Sequence, residues 1–177
     1  MKKKMKFTLG VISLFSLMLV GSCATIPKNV EGVNDFSKEK YLGMWYEIAR
    51  FDFKFEKHLI HTSAQYTLKS NGDIKVLNQG YDTLHKKWKQ AIGKAKFVGT
   101  DQAANLKVSF FGPFYGGYHV IALDSNYQDA LVAGSNLNYL WILARTKSIP
   151  ENVKTDFLTK AKENGFDVSK LIWVKHD

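Results

Sequence analysis

The chain has 177 residues, enough for one domain with a sizeable core, and 45% of them are hydrophobic and 14% aromatic. Its formal charge is +9, yet the basic residues beyond the N-terminus (Lys86-Lys87, Lys94, Lys96, Lys160, Lys162) are scattered, which fits solvated faces and argues against a nucleic-acid patch. A single cysteine, Cys23, excludes an internal disulfide, so stability must come from packing.

Lys2, Lys3, Lys4 and Lys6 form a positive head, followed by an apolar stretch from Phe7 to Val20. That stretch has the length of a signal-peptide core and is short for a bilayer span. It ends in Leu19-Val20-Gly21-Ser22-Cys23, where small residues before the lone cysteine resemble a bacterial lipobox. On that basis residues 1–22 are a lipoprotein signal peptide, cleavage exposes Cys23, and its thiol carries a diacylglycerol anchor. An ordinary secretory signal with an incidental cysteine is the other reading. The four lysines leave with the leader, so nearly half of the +9 belongs to it. Residues 24–39, polar and containing Pro27 and Gly32, read as a tether. The expected layout is a lipidated N-terminus over 23–39 and a folded domain over 40–177.

From Met44 the chain reads as short strands separated by turn signals. They cover 44–52, 60–69, 74–81, 88–98, 106–111, 115–124, 129–135 and 139–145, and Ser70-Asn71-Gly72-Asp73 is a strong hairpin turn. Strands at such regular spacing build a sandwich or an up-and-down barrel. The barrel is favoured because short loops link each neighbour and closure leaves no edge. The expected fold is therefore all-β, an eight-stranded antiparallel up-and-down β-barrel. After it, Ser148-Ile149-Pro150-Glu151 has the form of a helix start, with Ser148 as N-cap. Val153, Phe157, Leu158 and Ala161 recur at helical spacing, and Gly165 closes the segment. One apolar stripe suits a C-terminal α-helix packed on the outside of the barrel. Residues 171–174 read as a last short strand.

Gly43-Met44-Trp45-Tyr46, Asp124-Ser125-Asn126-Tyr127 and Arg145 resemble, in order and spacing, the three signature motifs of the lipocalin family. The runs from Trp45 to Arg50, Phe110 to Gly117 and Leu140 to Arg145 resemble in particular the outer-membrane bacterial lipocalins. A lone Gly-x-Trp is a weak signal; three motifs in order behind a lipobox are a strong one. In an antiparallel eight-strand barrel, the start of the first strand, the turn after the sixth and the end of the eighth share one end. Gly43, Trp45, Asp124, Tyr127 and Arg145 are therefore expected to meet there, with the guanidinium stacked on the tryptophan. Structural closure is the cheaper explanation of this group; catalysis or ligand contact is the other.

The opposite mouth is expected to be rimmed by Phe53, Phe55, Phe114 and Tyr115, which either form a lid or contact an apolar ligand. Taking Trp45 and Arg145 as inward, alternation puts Tyr139, Trp141 and Leu143 inside the barrel. With parity borrowed partly from the resemblance, Ala64, Tyr66 and Leu68 line the second strand and Val76 and Asn78 the third. Val108 and Phe110 line the fifth, and Tyr118, Val120 and Ala122 the sixth. A slip of one residue would invert any of these sets. A mostly apolar lining with a few polar groups and several small residues suits a hydrophobic ligand.

The histidines at 58, 61, 85, 119 and 176 form no i, i+2 or i, i+4 pair, and no thiol is left to ligate, so no metal site is expected. His58 and His61 flank the open mouth and leave haem or another tetrapyrrole as an alternative ligand. Glu47 shares the inward parity of Trp45 and reads as a buried acid held by a hydrogen bond at the barrel floor rather than a catalytic one. Some lipocalins catalyse isomerisation with a thiol in the cavity; here the only thiol is spent on the anchor. The resemblance thus implies a non-catalytic, cofactor-free carrier of fatty acids or lysophospholipids, used in membrane maintenance or stress. It would hang by Cys23 from the outer membrane, facing the periplasm, since Ala24 after the cysteine resembles lipoproteins passed on to that membrane. A lipid- or carotenoid-modifying enzyme is the remaining alternative, and a homodimer is left open.

Overall fold

The computed structural model describes Ile26, Pro27 and residues 30–176, so the leader and Cys23 lie outside the described residues. Eight strands follow in chain order: β1 Gly43–Phe51, β2 Leu59–Leu68, β3 Ile74–Asp82, β4 Lys87–Phe97, β5 Asn105–Ser109, β6 Gly116–Leu123, β7 Asp129–Gly134 and β8 Leu140–Ala144. Each pairs antiparallel with the next, and β1 pairs with β8 on one side and β2 on the other, which closes the barrel. The Lys69–Asp73 turn forms as the Asn-Gly signal predicts: Gly72 has φ +82 and the Lys69 N–H donates to the Asp73 carbonyl.

Alternation divides the apolar residues into two cores. Trp45, Ala64, Tyr66, Val76, Leu106, Val120 and Leu143 are buried in one cluster inside the barrel. Ile48, Phe51, Ile121, Leu131 and Ile142, of opposite parity or displaced by bulges, form a second cluster with the helix α1, Glu151–Glu163, through its Phe157 and Ala161. The helix lies outside because its single apolar stripe needs one wall, while its other face stays wet. Its end follows expectation. Gly165 takes φ +86, its N–H donates to Lys162, and the Phe166 N–H donates to Ala161. Its start does not. Pro150 occupies the N-cap with no side-chain cap, and Ser148 lies two residues earlier, its carbonyl accepting from Thr146 Oγ1.

Bulges break the alternation at two places, and the first corrects the inward assignment of Ala122. On β6 the pairing shifts between Val120 and Ala122, so Ala122 packs with the outer cluster and Leu123 with the inner one. On β1 it shifts between Glu47 and Ala49, which turns Ala49 outward and Arg50 inward. Leu68 has the expected parity but sits past the closed end and is 41% exposed.

Part of the stretch expected to be a tether is folded. Val30 and Phe36 are buried, and Val33 is hydrogen-bonded through both its N–H (to Val120) and its carbonyl (from Ala104). Ser37 then caps one turn of helix, Lys38–Tyr41. This strap lies against the closed end. At the other terminus, a short strand β9, Leu171–Trp173, pairs with β1, and the His61 N–H of β2 donates to the Lys175 carbonyl. The tail therefore fills the seam where β1 and β2 part.

Candidate functional site

The closed end is built around Trp45, which is fully buried, with its indole N–H donating to the Tyr41 carbonyl at 2.8 Å. The Arg145 guanidinium covers the ring at 3.9 Å and donates to the carbonyls of Met44 (2.7 Å), Lys40 (2.8 Å), Leu42 (2.9 Å) and Tyr127 (3.2 Å). One planar cation thus ties the strap, the start of β1 and the β6–β7 turn to the end of β8. Gly43 has φ +99 and lies so near that a Cβ would stand 3.2 Å from Arg145 Nη1. Asp124 holds the turn by accepting from the backbone N–H groups of Asn126 (2.9 Å), Gln128 and Asp129 (2.7 Å). Tyr127, at φ 59, accepts from the Ser37 N–H at 2.8 Å. Gly43, Trp45, Asp124, Tyr127 and Arg145 are brought together as expected. Every polar contact they make is internal.

Above this floor three phenols meet. Tyr118 Oη lies 2.7 Å from Tyr41 Oη and 3.0 Å from Tyr66 Oη, and burial pushes the pKa of all three above the ordinary tyrosine value, keeping them protonated. Ala64, Val76, Val120 and Leu143 are buried around them, with Val108, Phe110 and Trp141 partly covered. Asn78 stands between Ala64 and Ala91, its partners on β2 and β4. Ala91, of the same inward parity, is exposed to solvent from within the barrel.

Towards the mouth the wall carries a buried polar group that alternation alone misses. Arg50 Nη1 donates to Glu47 Oε1 at 2.7 Å, and its Nη2 donates to the carbonyls of Glu56 (2.9 Å) and Leu59 (3.0 Å). Thr62 Oγ1 donates to Glu47 at 3.0 Å, and Trp141 Nε1 donates to Glu56 Oε2 at 3.3 Å. One guanidinium faces two carboxyls. Burial, and then the charge of Glu47, holds Glu56 well above the ordinary carboxylate range. Burial raises Glu47 too, against the pull of Arg50. Glu47 is thus a buried, hydrogen-bonded acid as its parity implied, but its partners are Arg50 and Thr62 towards the mouth, not groups of the barrel floor. The bulge after it is what makes Arg50 a neighbour, and periodicity carries no signal for that.

Three expected ligand contacts stand elsewhere. Tyr139 precedes β8 and is a rim residue, packed edge-on to Phe53 at 5.7 Å and stacked with Trp141 at 6.1 Å. Tyr115 lies 5.6 and 5.2 Å from the ammonium groups of Lys94 and Lys107, whose parity puts them on the outer face. Phe55 is 70% exposed, facing Phe111 at 6.0 Å. The His61 ring is directed away from the mouth interior, against Trp88 and His176. Among the described residues, no group of three or more His, Cys, Asp or Glu is placed to hold a metal ion.

A barrel plugged at one end and lined inside by apolar side chains matches known proteins in sequence and in fold. Residues 36–176 match the lipocalin-like domain family. The chain is 52% identical over 159 residues to the outer membrane lipoprotein Blc of Escherichia coli (strain K12), covering 90% of each chain. It is 45% identical over 167 residues to the outer membrane lipoprotein Blc of Vibrio cholerae, covering 94% of this chain and 98% of the other. Among solved structures, insecticyanin from the tobacco hornworm superposes with a TM-score of 0.70 at 19% identity, over 86% of this chain and 87% of that one, a likeness of fold. The chain belongs to the lipocalin family.

Proposed function

We propose that the protein is a carrier, not an enzyme, and that it holds one single-chain amphiphile, a fatty acid or a lysophospholipid. The acyl chain lies in the barrel and the head group at the Arg50 network below the mouth. An acylated Cys23 hangs the barrel from the outer membrane on its periplasmic side, in keeping with the names of its Escherichia coli and Vibrio cholerae relatives. The observation that carries this reading is the one-ended closure over an apolar inner wall. Trp45 and Arg145 plug one end, while Ala91, Val108, Phe110 and Trp141 line the space above.

The magnitude is sufficient. Each buried methylene contributes about 0.8 kcal/mol, so some fifteen supply about 12 kcal/mol, which leaves roughly micromolar affinity after an association cost of about 4 kcal/mol. A carrier is favoured over an enzyme because the interior acids are engaged by Arg50, Thr62 and Trp141 rather than presented to a substrate bond. The test is quenching of Trp45 and Trp141 fluorescence in the barrel lacking residues 1–23, titrated with palmitate and with a lysophospholipid. Saturation at one ligand per barrel is expected. Ala91→Trp, which fills the cavity, should abolish binding at unchanged melting temperature. Quenching that never saturates, or that Ala91→Trp leaves intact, would overturn the proposal, and turnover of the lysophospholipid would place the protein among enzymes.

A further inference from the structure

Between the tyrosine floor and the Arg50 network, two hydrogen-bonding capacities are left unused. The phenols of Tyr41, Tyr66 and Tyr118 make two contacts with one another, at 2.7 and 3.0 Å. Three hydroxyls bring three protons and two contacts consume two, so one O–H proton has no acceptor in the cluster whichever way the chain of bonds runs. The second capacity is Asn78 Oδ1, which is buried without a hydrogen-bond partner. An unsatisfied buried acceptor is costly and calls for an explanation.

Register brings the two together. Tyr66 is opposite Val76 on β3, and Ala64 is opposite Asn78, so Asn78 stands one pleat above the Tyr66 layer on the same inner face. Diagonal neighbours of this kind are about 7–8 Å apart between Cα atoms, within the reach of a phenol or an amide. Around the amide the wall is made of small residues: Ala64 on β2, and Ala91 and Gly93 on β4. At Gly93 the Phe110 ring packs on the wall, where a Cβ would meet it at 2.8 Å, so one aromatic ring and the two alanines share this level with the amide.

A spare donor and an orphan acceptor at one level of an otherwise apolar wall are answered by a group that both donates and accepts. A methylene chain answers neither, and an ionised carboxylate can only accept. An alcohol does both, donating to Asn78 and accepting from the phenol. We propose that Asn78 and the Tyr41–Tyr118–Tyr66 cluster form a subsite for a hydroxyl borne on the ligand's acyl chain, so that hydroxyacyl amphiphiles are preferred over unsubstituted ones. Because Asn78 lies only one pleat from Thr62 and the Glu47 network, counted through Ala64, that hydroxyl belongs near the head group. The proposal rests on the carrier reading above.

The test compares myristic acid with 3-hydroxymyristic acid by calorimetry on residues 24–177, which contain every member of both cores. The hydroxy acid is expected to bind about tenfold more tightly, the gain of one satisfied hydrogen bond at a buried site. Asn78→Leu should erase the preference by raising affinity for the plain acid, and Tyr118→Phe should reduce it by lowering affinity for the hydroxy acid. Equal affinities in the unmodified protein, as when a water already satisfies Asn78, would overturn the subsite and leave the carrier intact. So would a preference that survives both substitutions. Saturable binding of neither acid would overturn the carrier reading and the subsite with it.

Discussion

Arg145 donates to four backbone carbonyls from three segments and covers Trp45, work that a lysine ammonium at the same place cannot divide. Arg145→Lys is expected to cost about 2 kcal/mol of stability in urea unfolding, since hydrogen bonds to a charged group are each worth roughly 1.5–3 kcal/mol and only some are lost. Glu56 sets a different dependence. Its folded ionisation lies above the ordinary carboxylate range, so the folded state binds more protons than the unfolded one in that interval. The stability associated with its neutral form is complete below the ordinary glutamate range and is lost as pH rises through the raised value. Glu56→Gln should therefore flatten the fall in melting temperature on the neutral side and leave the protein at least as stable there; an unchanged pH profile would contradict this assignment. The floor was legible because Gly43, Trp45, Asp124 and Arg145 carry recognisable types at fixed spacing. Arg50 and Glu56 were not, because one reaches the interior through a bulge and the other from a loop.

Helix α1 shows how element-scale features divide between those that sequence reports and those it hides. Its stripe and its Gly165 stop are written in residue type and spacing. Phe157→Ala is expected to cost about 3 kcal/mol by opening a cavity in the outer core. Gly165→Ala should cost about 1 kcal/mol, since an L side chain resists φ +86. Thermal unfolding of both checks this, with the larger drop at Phe157. The start of the helix was misplaced because a capping motif is local, while the path of the chain after Arg145 decides whether Ser148 can reach it. The strand count and turns were equally legible, as each strand alternates and each turn has Gly, Asn or Asp. Ala122 inverted because one inserted residue at Ile121 leaves composition and local polarity unchanged. The strap from Val30 to Tyr41 was missed because its three apolar anchors, Val30, Val33 and Phe36, recur every third residue, which is not the alternation of a strand, and gain meaning only against the barrel they pack on.

At the scale of the molecule, the design is one wall with two apolar faces. Helix α1 covers part of the outer face, the strap lies over the closed end, and the inner face carries polar groups at the phenols, Asn78 and the Arg50 network. Parity and the family motifs together placed most of the lining before any coordinate did, while the rim residues Phe55, Tyr115 and Tyr139 depend on loop paths that periodicity does not encode. The central claim, a barrel that holds one amphiphile inside, is tested most directly by native mass spectrometry of the barrel expressed without residues 1–23. Prediction and contradiction are plain: one bound lipid per chain, absent from Ala91→Trp, is the expected spectrum, and an unliganded mass that added fatty acid or lysophospholipid never shifts would contradict it.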